Sequence, residues 1–288
     1  MKRLLLLCLA SGACARPVAI APLPALPFAT DTVRAQQISD GVVRRFVYSP
    51  QGPWAIHVLD VDLARCNAGV AVKGVDSAAS RIKTTVLLRD LATRTTVFGG
   101  VNADFFSLAN GTPAGMLIVD GKMLTPPSAQ PVLAFDSAGT PHIGVFTRTA
   151  GTLRPFYPRD AVGGRPLLVR NGVMVSNIDS AGGAAFAAAR HPRTAAGIMA
   201  GGKRLLLVVV DGRQAPYSDG MTLRELATLM LSLGARDAVN LDGGGSTTLV
   251  YADAAHGGAL ELANRPSDKE GERGVGDAVG IVRRCGAR

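Results

Sequence analysis

The sequence predicts an α+β fold in a single domain, with a large mixed, mainly antiparallel sheet, several hairpins and two main helices. Three observations carry this expectation. Short apolar segments of strand length outnumber helical ones. Several of them are joined by two-residue turns of the Asp-Gly or Asn-Gly type. The order never settles into the regular strand–helix alternation of a parallel sheet.

The elements follow from the N-terminus. Met1-Lys2-Arg3 is a basic start, Leu4 to Ala10 a short apolar core, and Ala13-Cys14-Ala15 a small-x-small cleavage site. Residues 1–15 therefore read as an export signal. A competing reading makes Cys14 the acylated first residue of a membrane-anchored lipoprotein. Residues 16–40 begin rich in Pro and Ala and read as a leader or tether. Residues 41–288 form the domain, since no later linker divides the chain. Val42–Tyr48 and Trp54–Leu63 alternate or run apolar with β-branched content, as strands do. Thr84, Leu87, Leu88 and Leu91 share one face of a helix. "TVFGGVNADFF" is a strand running into a polar tip. "GMLIVDGKMLT" and "PLLVRNGVMVS" are hairpins turning at Asp120-Gly121 and Asn171-Gly172. "RLLLVVVDGR" is a nearly continuous apolar strand, as expected where both faces are covered. "TLRELATLMLSLGA" is the clearest helix, with Gly234 where a C-terminal cap belongs. Its start, Thr222-Leu-Arg-Glu225, is a capping box, so Glu225 has a structural task. "DAVGIVRR" closes the domain as a strand.

Composition narrows the partners. The formal charge is +9, but the arginines are scattered and aromatics make up only 5%. Without an interleaved basic and aromatic stripe, nucleic acid is not the expected partner. An anionic envelope polymer or phosphorylated sugar suits a basic exported protein. After the signal, no segment is apolar for the roughly 18 residues of a membrane helix. Cutting after Ala15 leaves Cys66 and Cys285, read as one disulfide in an exported chain; two unrelated thiols are the alternative.

"AVNLDGGGSTTLVY" reads as strand, glycine loop, strand. Gly243, Gly244 and Gly245 let backbone N–H groups converge on an anion, and Ser246 and Thr247 add hydroxyls. A tight turn needing positive φ is the other reading. Asp211-Gly212-Arg213 ends an apolar strand just as Asp242-Gly243 does. Two carboxylates meeting at one sheet edge could divide acid and base roles in glycoside hydrolysis. Asp120-Gly121 shows that the same dipeptide also serves as a plain turn. Asn102 and Asp104 sit at another strand end. His191 and Arg193 lie in "RHPRTAAGI", where an arginine suits phosphate or carboxylate. Arg265, Glu272 and Arg273 fall in "NRPSDKEGERG". No HExxH, GxSxG or Cys/His cluster is present.

The segments "GVNADFF", "GMLIVDGKML", "RTAAGI", "LLLVVVDGR", "GMTLRELATLMLSLGARDAVNLDGGGSTTLV" and "NRPSDKEGERGVGDAVGIV" resemble, in this order, the phosphodiester glycosidase family. The resemblance implies an exported glycosidase, periplasmic or extracellular, acting on a sugar joined through its anomeric oxygen to phosphate. It implies catalytic Asp211 and Asp242, with Asn102, Arg193, Arg213, Gly243, Gly244, Ser246, Asn264, Glu272 and Arg273 at the substrate. Gly245 and Thr247 join them from the loop reading. Asp104 departs from the small residue expected after "NA" in many relatives. No cofactor is expected, with a divalent cation left open. Two rivals remain: a non-catalytic envelope glycan-binding module, and a metal-dependent phosphodiesterase cleaving P–O with Asp104, Asp211 and Asp242 as ligands.

Overall fold

The computed structural model describes residues 20–65, 69–74 and 81–283. The expected export signal at residues 1–15, Cys14, and Cys66 and Cys285 with their expected bridge lie outside the described residues. The chain first lays down β1 (Thr32–Ser39), β2 (Val42–Ser49) and β3 (Trp54–Asp62), then β4 (Gly69–Gly74) and the two-residue β5 (Ile82–Lys83). Helix α1 (Thr84–Ala92) and β6 (Val97–Asn102) follow. The Asp120-Gly121 hairpin joins β7 (Leu117–Val119) to β8 (Lys122–Thr125). Beyond it lie β9 (Pro131–Phe135), β10 (Pro141–Val145), β11 (Thr147–Thr149), β12 (Thr152–Arg154) and β13 (Asp160–Gly163). The Asn171-Gly172 hairpin joins β14 (Leu167–Arg170) to β15 (Val173–Met174). Two short helices, α2 (Ile178–Gly182) and α3 (Ala184–Ala188), lead into β16 (Arg193–Met199) and β17 (Arg204–Val210). Helix α4 (Leu223–Ser232) precedes β18 (Ala235–Leu241), and β19 (Leu249–Asp253), β20 (Ala259–Leu262), β21 (Gly274–Val275) and β22 (Asp277–Val282) complete the chain. Both hairpin turns have two left-handed residues: φ is +48° and +78° at Asp120-Gly121, and +51° and +76° at Asn171-Gly172. That is the twist a two-residue hairpin needs.

The expected α+β class is what forms, and the pairings among these strands are antiparallel. The large sheet has eight strands, in the order β1-β2-β3-β17-β16-β18-β14-β15. Two five-stranded sheets accompany it, β10-β9-β13-β7-β8 and β20-β19-β6-β22-β4. β17 explains its continuous apolar sequence. Leu205, Leu207 and Val209 face a core shared with Val101, Leu133, Val162 and Val279 from the smaller sheets. Leu206, Val208 and Val210 face α4 through Leu223, Leu226 and Met230. Alternate side chains of one strand thus fill two cores, and burying each such side chain contributes roughly 1.5–3 kcal/mol. α1 covers the outer face of β6 and β22 with Leu87, Leu88 and Leu91.

α4 carries the capping box. Thr222 Oγ1 accepts from the Glu225 N–H at 3.1 Å, and the Glu225 carboxylate accepts from the Thr222 N–H at 2.8 Å. Gly234 follows the helix in the left-handed region at φ +92°. The folded unit starts earlier than residue 41. Residues 32–39, expected in the leader, form β1 against β2. Leu23, Leu26 and Phe28 pack on the α4 core, with the Phe28 ring 5.0 Å from that of Trp54. The apolar side chains spaced along the Pro-rich stretch are what draw it onto the sheet.

Candidate functional site

β16 runs antiparallel to both β17 and β18, so the latter two end on the same side of the sheet. Arg193, at the start of β16, pairs with Val210, and Thr194 pairs with Leu241. The topology therefore brings Asp211 and Asp242 to one sheet end, as the sequence suggested, and sets Arg193 between them. Their environments differ sharply.

Asp211 is fully buried. Its carboxylate accepts from Asn264 Nδ2 at 2.9 Å, from the Arg265 N–H at 3.1 Å and from Tyr217 Oη at 3.0 Å. His57 Nε2 approaches it at 3.2 Å. A carboxylate so supplied with donors has little capacity left for a substrate. In this arrangement Asp211 anchors the Asn264–Arg265 segment and Tyr217. Burial, and then the Asp211 charge, pushes the Tyr217 hydroxyl above its ordinary pKa. Asn264 is a strap for the same reason. Its Oδ1 accepts from the Leu249 N–H at 2.8 Å, while Nδ2 also donates to Thr247 O.

The glycine loop does not present a row of free amides. The Gly243 N–H donates to the Asp242 carboxylate at 2.9 Å and that of Gly244 to Pro192 O at 2.9 Å. The Ser246 and Thr247 amides donate to Gly243 O and Gly244 O. Of the Gly243–Thr247 amides, only that of Gly245 has no hydrogen bond among the described residues. The phosphate-cradle expectation is corrected accordingly. The glycines serve close approach instead. A Cβ on Gly243 would lie 2.6 Å from Pro192 O, and one on Gly245 would collide with the Asp268–Arg273 ion pair. Asn102 sits beneath, donating through Nδ2 to Asp242 O at 2.7 Å and accepting from Thr194 Oγ1 and the Thr248 N–H. It shapes the loop from inside the protein.

Asp242 is the open carboxyl, only partly buried as a residue. Burial raises its pKa to about 6, against the opposing pull of Ser246, the Gly243 amide, Arg273 and Arg165. The Ser246 hydroxyl acts by proximity here, without a well-formed hydrogen bond. Exposed Arg213 lies over Gly244, with Nη1 3.2 Å from where a Cβ would stand, and donates to His191 Nδ1 at 3.2 Å. That bond needs a neutral Nδ1. Burial, with Arg193 and Arg213, indeed lowers the His191 pKa. Arg273 pairs with Asp268 at 2.7 Å.

Arg193 is wholly buried and mostly structural. Nε donates to Met221 O, and Nη2 to Phe186 O and Ala189 O, while Nη1 has no partner. Burial and then Arg213 lower its pKa to about 10, so it stays charged at neutral pH. Glu272 does not reach the site. It accepts from the Thr85 N–H and Oγ1, both at 2.7 Å, and so caps α1, which has no side-chain cap of its own. Sequence reasoning missed Arg165, Phe105 and Phe186. Arg165 lies 4.8 Å over the Phe105 ring, which stands 6.3 Å from Phe186. "GVNADFF" held the signal for Phe105; Arg165 follows an unremarkable Gly163-Gly164.

Among the described residues, Asp104, Asp211 and Asp242 do not form a group at metal-ligand spacing. Among the described residues, Asp253, His256 and Glu261 are the group with metal-ligand spacing. They lie at the end of β19 away from the glycine loop. A cavity of about 450 Å³, lined by His142, Arg170, Met199 and Arg236, also lies away from the chemistry, at the opposite end of β16 and β18.

The fold and site together define an antiparallel α+β scaffold with an acid centre under an arginine rim. The phosphodiester glycosidase family model matches residues 95–282, and the chain belongs to that family. Among solved structures it is similar to a hypothetical protein from Synechocystis (TM-score 0.72, 19% identity, 88% of this chain and 64% of that one). It therefore spans less than two thirds of that protein. It is also similar to the zebrafish N-acetylglucosamine-1-phosphodiester alpha-N-acetylglucosaminidase catalytic domain, auto-inhibited by its pro-peptide (TM-score 0.63, 21% identity, 92% and 85%). A Burkholderia pseudomallei protein matches at TM-score 0.65 and 17% identity, over 93% and 99%. At these identities the likeness is one of fold. No curated protein matches the chain.

Proposed function

We propose that the protein hydrolyses a sugar-1-phosphodiester, with Asp242 at the anomeric carbon and Arg165, Arg213 and Arg273 around the departing phosphate. The observation that carries this reading is the placement of a partly open carboxyl, with a pKa of about 6, among those arginines. Above that pH Asp242 is ionised. A charge fixed beside a developing oxocarbenium ion lowers the barrier without reorganisation. Phosphate leaves readily once neutralised, so a strong general acid is not required. Phe105 and Phe186 offer apolar faces for the sugar ring. The substrate is an N-acetylglucosamine-like sugar on an envelope glycan or anionic glycopolymer, reached by an exported protein, consistent with its basic charge. The reaction needs no cofactor.

The test is hydrolysis of a synthetic α-linked N-acetylglucosamine phosphodiester in ¹⁸O-labelled water. Label should enter the sugar, and chelator should leave the rate unchanged. Label in the phosphate, with loss of rate in chelator, would mark a metal phosphodiesterase. Binding without turnover would mark a glycan-binding module.

A further inference from the structure

Two more carboxyl groups lie behind Asp242, and the proposed reaction does not use them. Asp104 follows β6 and Asp277 opens β22, with exposures of 1% and 0%. Ala103 draws the three acids together. Its N–H donates to Asp277 O at 3.3 Å, and its carbonyl accepts from the Asp242 N–H at 2.8 Å. The next amide, of Asp104, donates to Asp277 Oδ1 at 2.7 Å. Asp104 Oδ2 accepts from the Gly115 N–H at 2.7 Å. Each carboxyl therefore has one oxygen with a donor. The other oxygens, Asp104 Oδ1 and Asp277 Oδ2, are buried with no partner. Gly115 and Gly163 close over Asp104 so tightly that a Cβ on either would lie 2.9 Å or 2.7 Å from its carboxylate. The charges facing this cluster are Asp242 at the end of β18 and, acting on Asp242 from the far side, Arg165 before β14 and Arg273 before β21.

Two ionised carboxylates in a dry interior without a facing cation are too costly to persist. We propose that Asp104 and Asp277 share one proton as a buried acid pair, and that the pair is a positioning element which sets the pH at which Asp242 ionises. One proton removes one of two buried charges that no cation offsets and whose outer oxygens have no donor. A divalent cation would require about six oxygen ligands, and the glycine backbones leave no room for them. Burial, and then Asp277, raises Asp104 well above the carboxylate range; burial raises Asp277 to about 7. Proton sharing stands independently of the proposed reaction, whereas the effect on Asp242 rests on that reading.

Asp277→Asn keeps the shape: its Oδ1 still accepts from the Asp104 N–H, and its amide can donate to Asp104. Asp104→Asn is the second variant, should the first fail to fold. Infrared difference spectra near neutral pH should show a protonated carboxyl band in wild type that either variant loses. The native pair also holds a proton that the unfolded chain releases above about pH 4. Wild-type Tm should therefore fall as pH rises from about 4 through 7, by roughly 5 °C or more. The variant should show a shallower fall. The single variants keep the pair's net charge of minus one, so the link to Asp242 is read in the Asp104→Asn/Asp277→Asn double variant: removing that charge should move the acid limb of kcat/KM down by about half a pH unit, with KM unchanged. Identical spectra and Tm slopes in wild type and variant would overturn the shared proton, as would a Tm that chelator lowers and calcium restores. A normal band and slope with an acid limb unmoved in the double variant would overturn the link to Asp242. If wild type turns over no phosphodiester, it is the proposed reaction that fails, and the band and Tm slope still decide the pair.

Discussion

Asp211 and Asp242 flank β16, end strands that run the same way, and each precedes a glycine. One is sealed and surrounded by donors; the other is only partly buried and lies near arginines. The difference lies wholly in the path of the chain beyond each dipeptide. After Gly212 the chain turns back so that Tyr217 donates to the carboxylate, and Arg265 and Asn264 come across to meet it. After Gly243 the loop amides go to Pro192 and to the loop's own carbonyls, and of them only that of Gly243 reaches the Asp242 carboxylate. An acid at a strand end thus becomes a structural anchor or a reactive group according to how many donors reach it.

Asp242→Asn tests the open end, where the largest effect is expected. The near-isosteric variant should fold normally and still bind a sugar-1-phosphodiester while losing about 10³-fold or more in turnover. Wild-type kcat/KM should fall off below about pH 6, as Asp242 takes up a proton. A folded variant with the wild-type rate would remove Asp242 from the chemistry.

Asp211→Ala tests the sealed end. It should strand the donors of Tyr217, Asn264 and Arg265 and cost about 3–5 kcal/mol, read as a lowered denaturant midpoint. Activity lost should track protein unfolded. If Asp211→Asn instead melts like wild type and loses turnover a thousandfold, the two aspartates are a catalytic pair after all and the contrast collapses.

A comparable effect is expected on β22, which carries Asp277 toward the open end. Val282 pairs with Gly69, and Asp277 with Gly74. Cys66 and Cys285 lie outside the described residues, and their pairing is proposed because they are the two cysteines left once an export signal is removed. A disulfide there should stabilise by about 3–5 kcal/mol through the long loop it closes. Thiol labelling of the denatured, unreduced protein should find neither cysteine free.

The smallest effect belongs to Glu225, behind the sealed end. Besides capping α4 it pairs with Arg190 at 2.6 Å. Glu225→Ala should cost about 0.5–1.5 kcal/mol and leave turnover unchanged; a folded Glu225→Gln protein without activity would move it into the site.

The strands, the hairpins and α4 were legible because their signals are local: apolar period, turn dipeptides and a capping box. The common sheet end of Asp211 and Asp242 was legible too, since both apolar runs stop at an acid. The donors to Asp211 were not, because Asn264 and Arg265 stand more than fifty residues away in sequence. Glu272 shows the same limit, for its partner Thr85 lies on a helix formed 187 residues earlier. Asp277 sat in plain view in "GVGDAVG", but nothing local says that β22 will lie beside β6 and turn that side chain toward Asp104.

The early attachment of the chain to its sheet sets a reach. Arg45 Nη2 holds Ala21 O at 2.8 Å, so the domain is fastened from about residue 21 onward. Seven residues separate Ala21 from Cys14, so a lipid there would hold this attachment point within about 25 Å of a membrane, the most that so many residues can span. Such a form would graze the membrane and harvest only what grows close to it, whereas a form cut after Ala15 would roam. Under the proposed envelope location, the fate of one cysteine would set which of two depths the same domain serves.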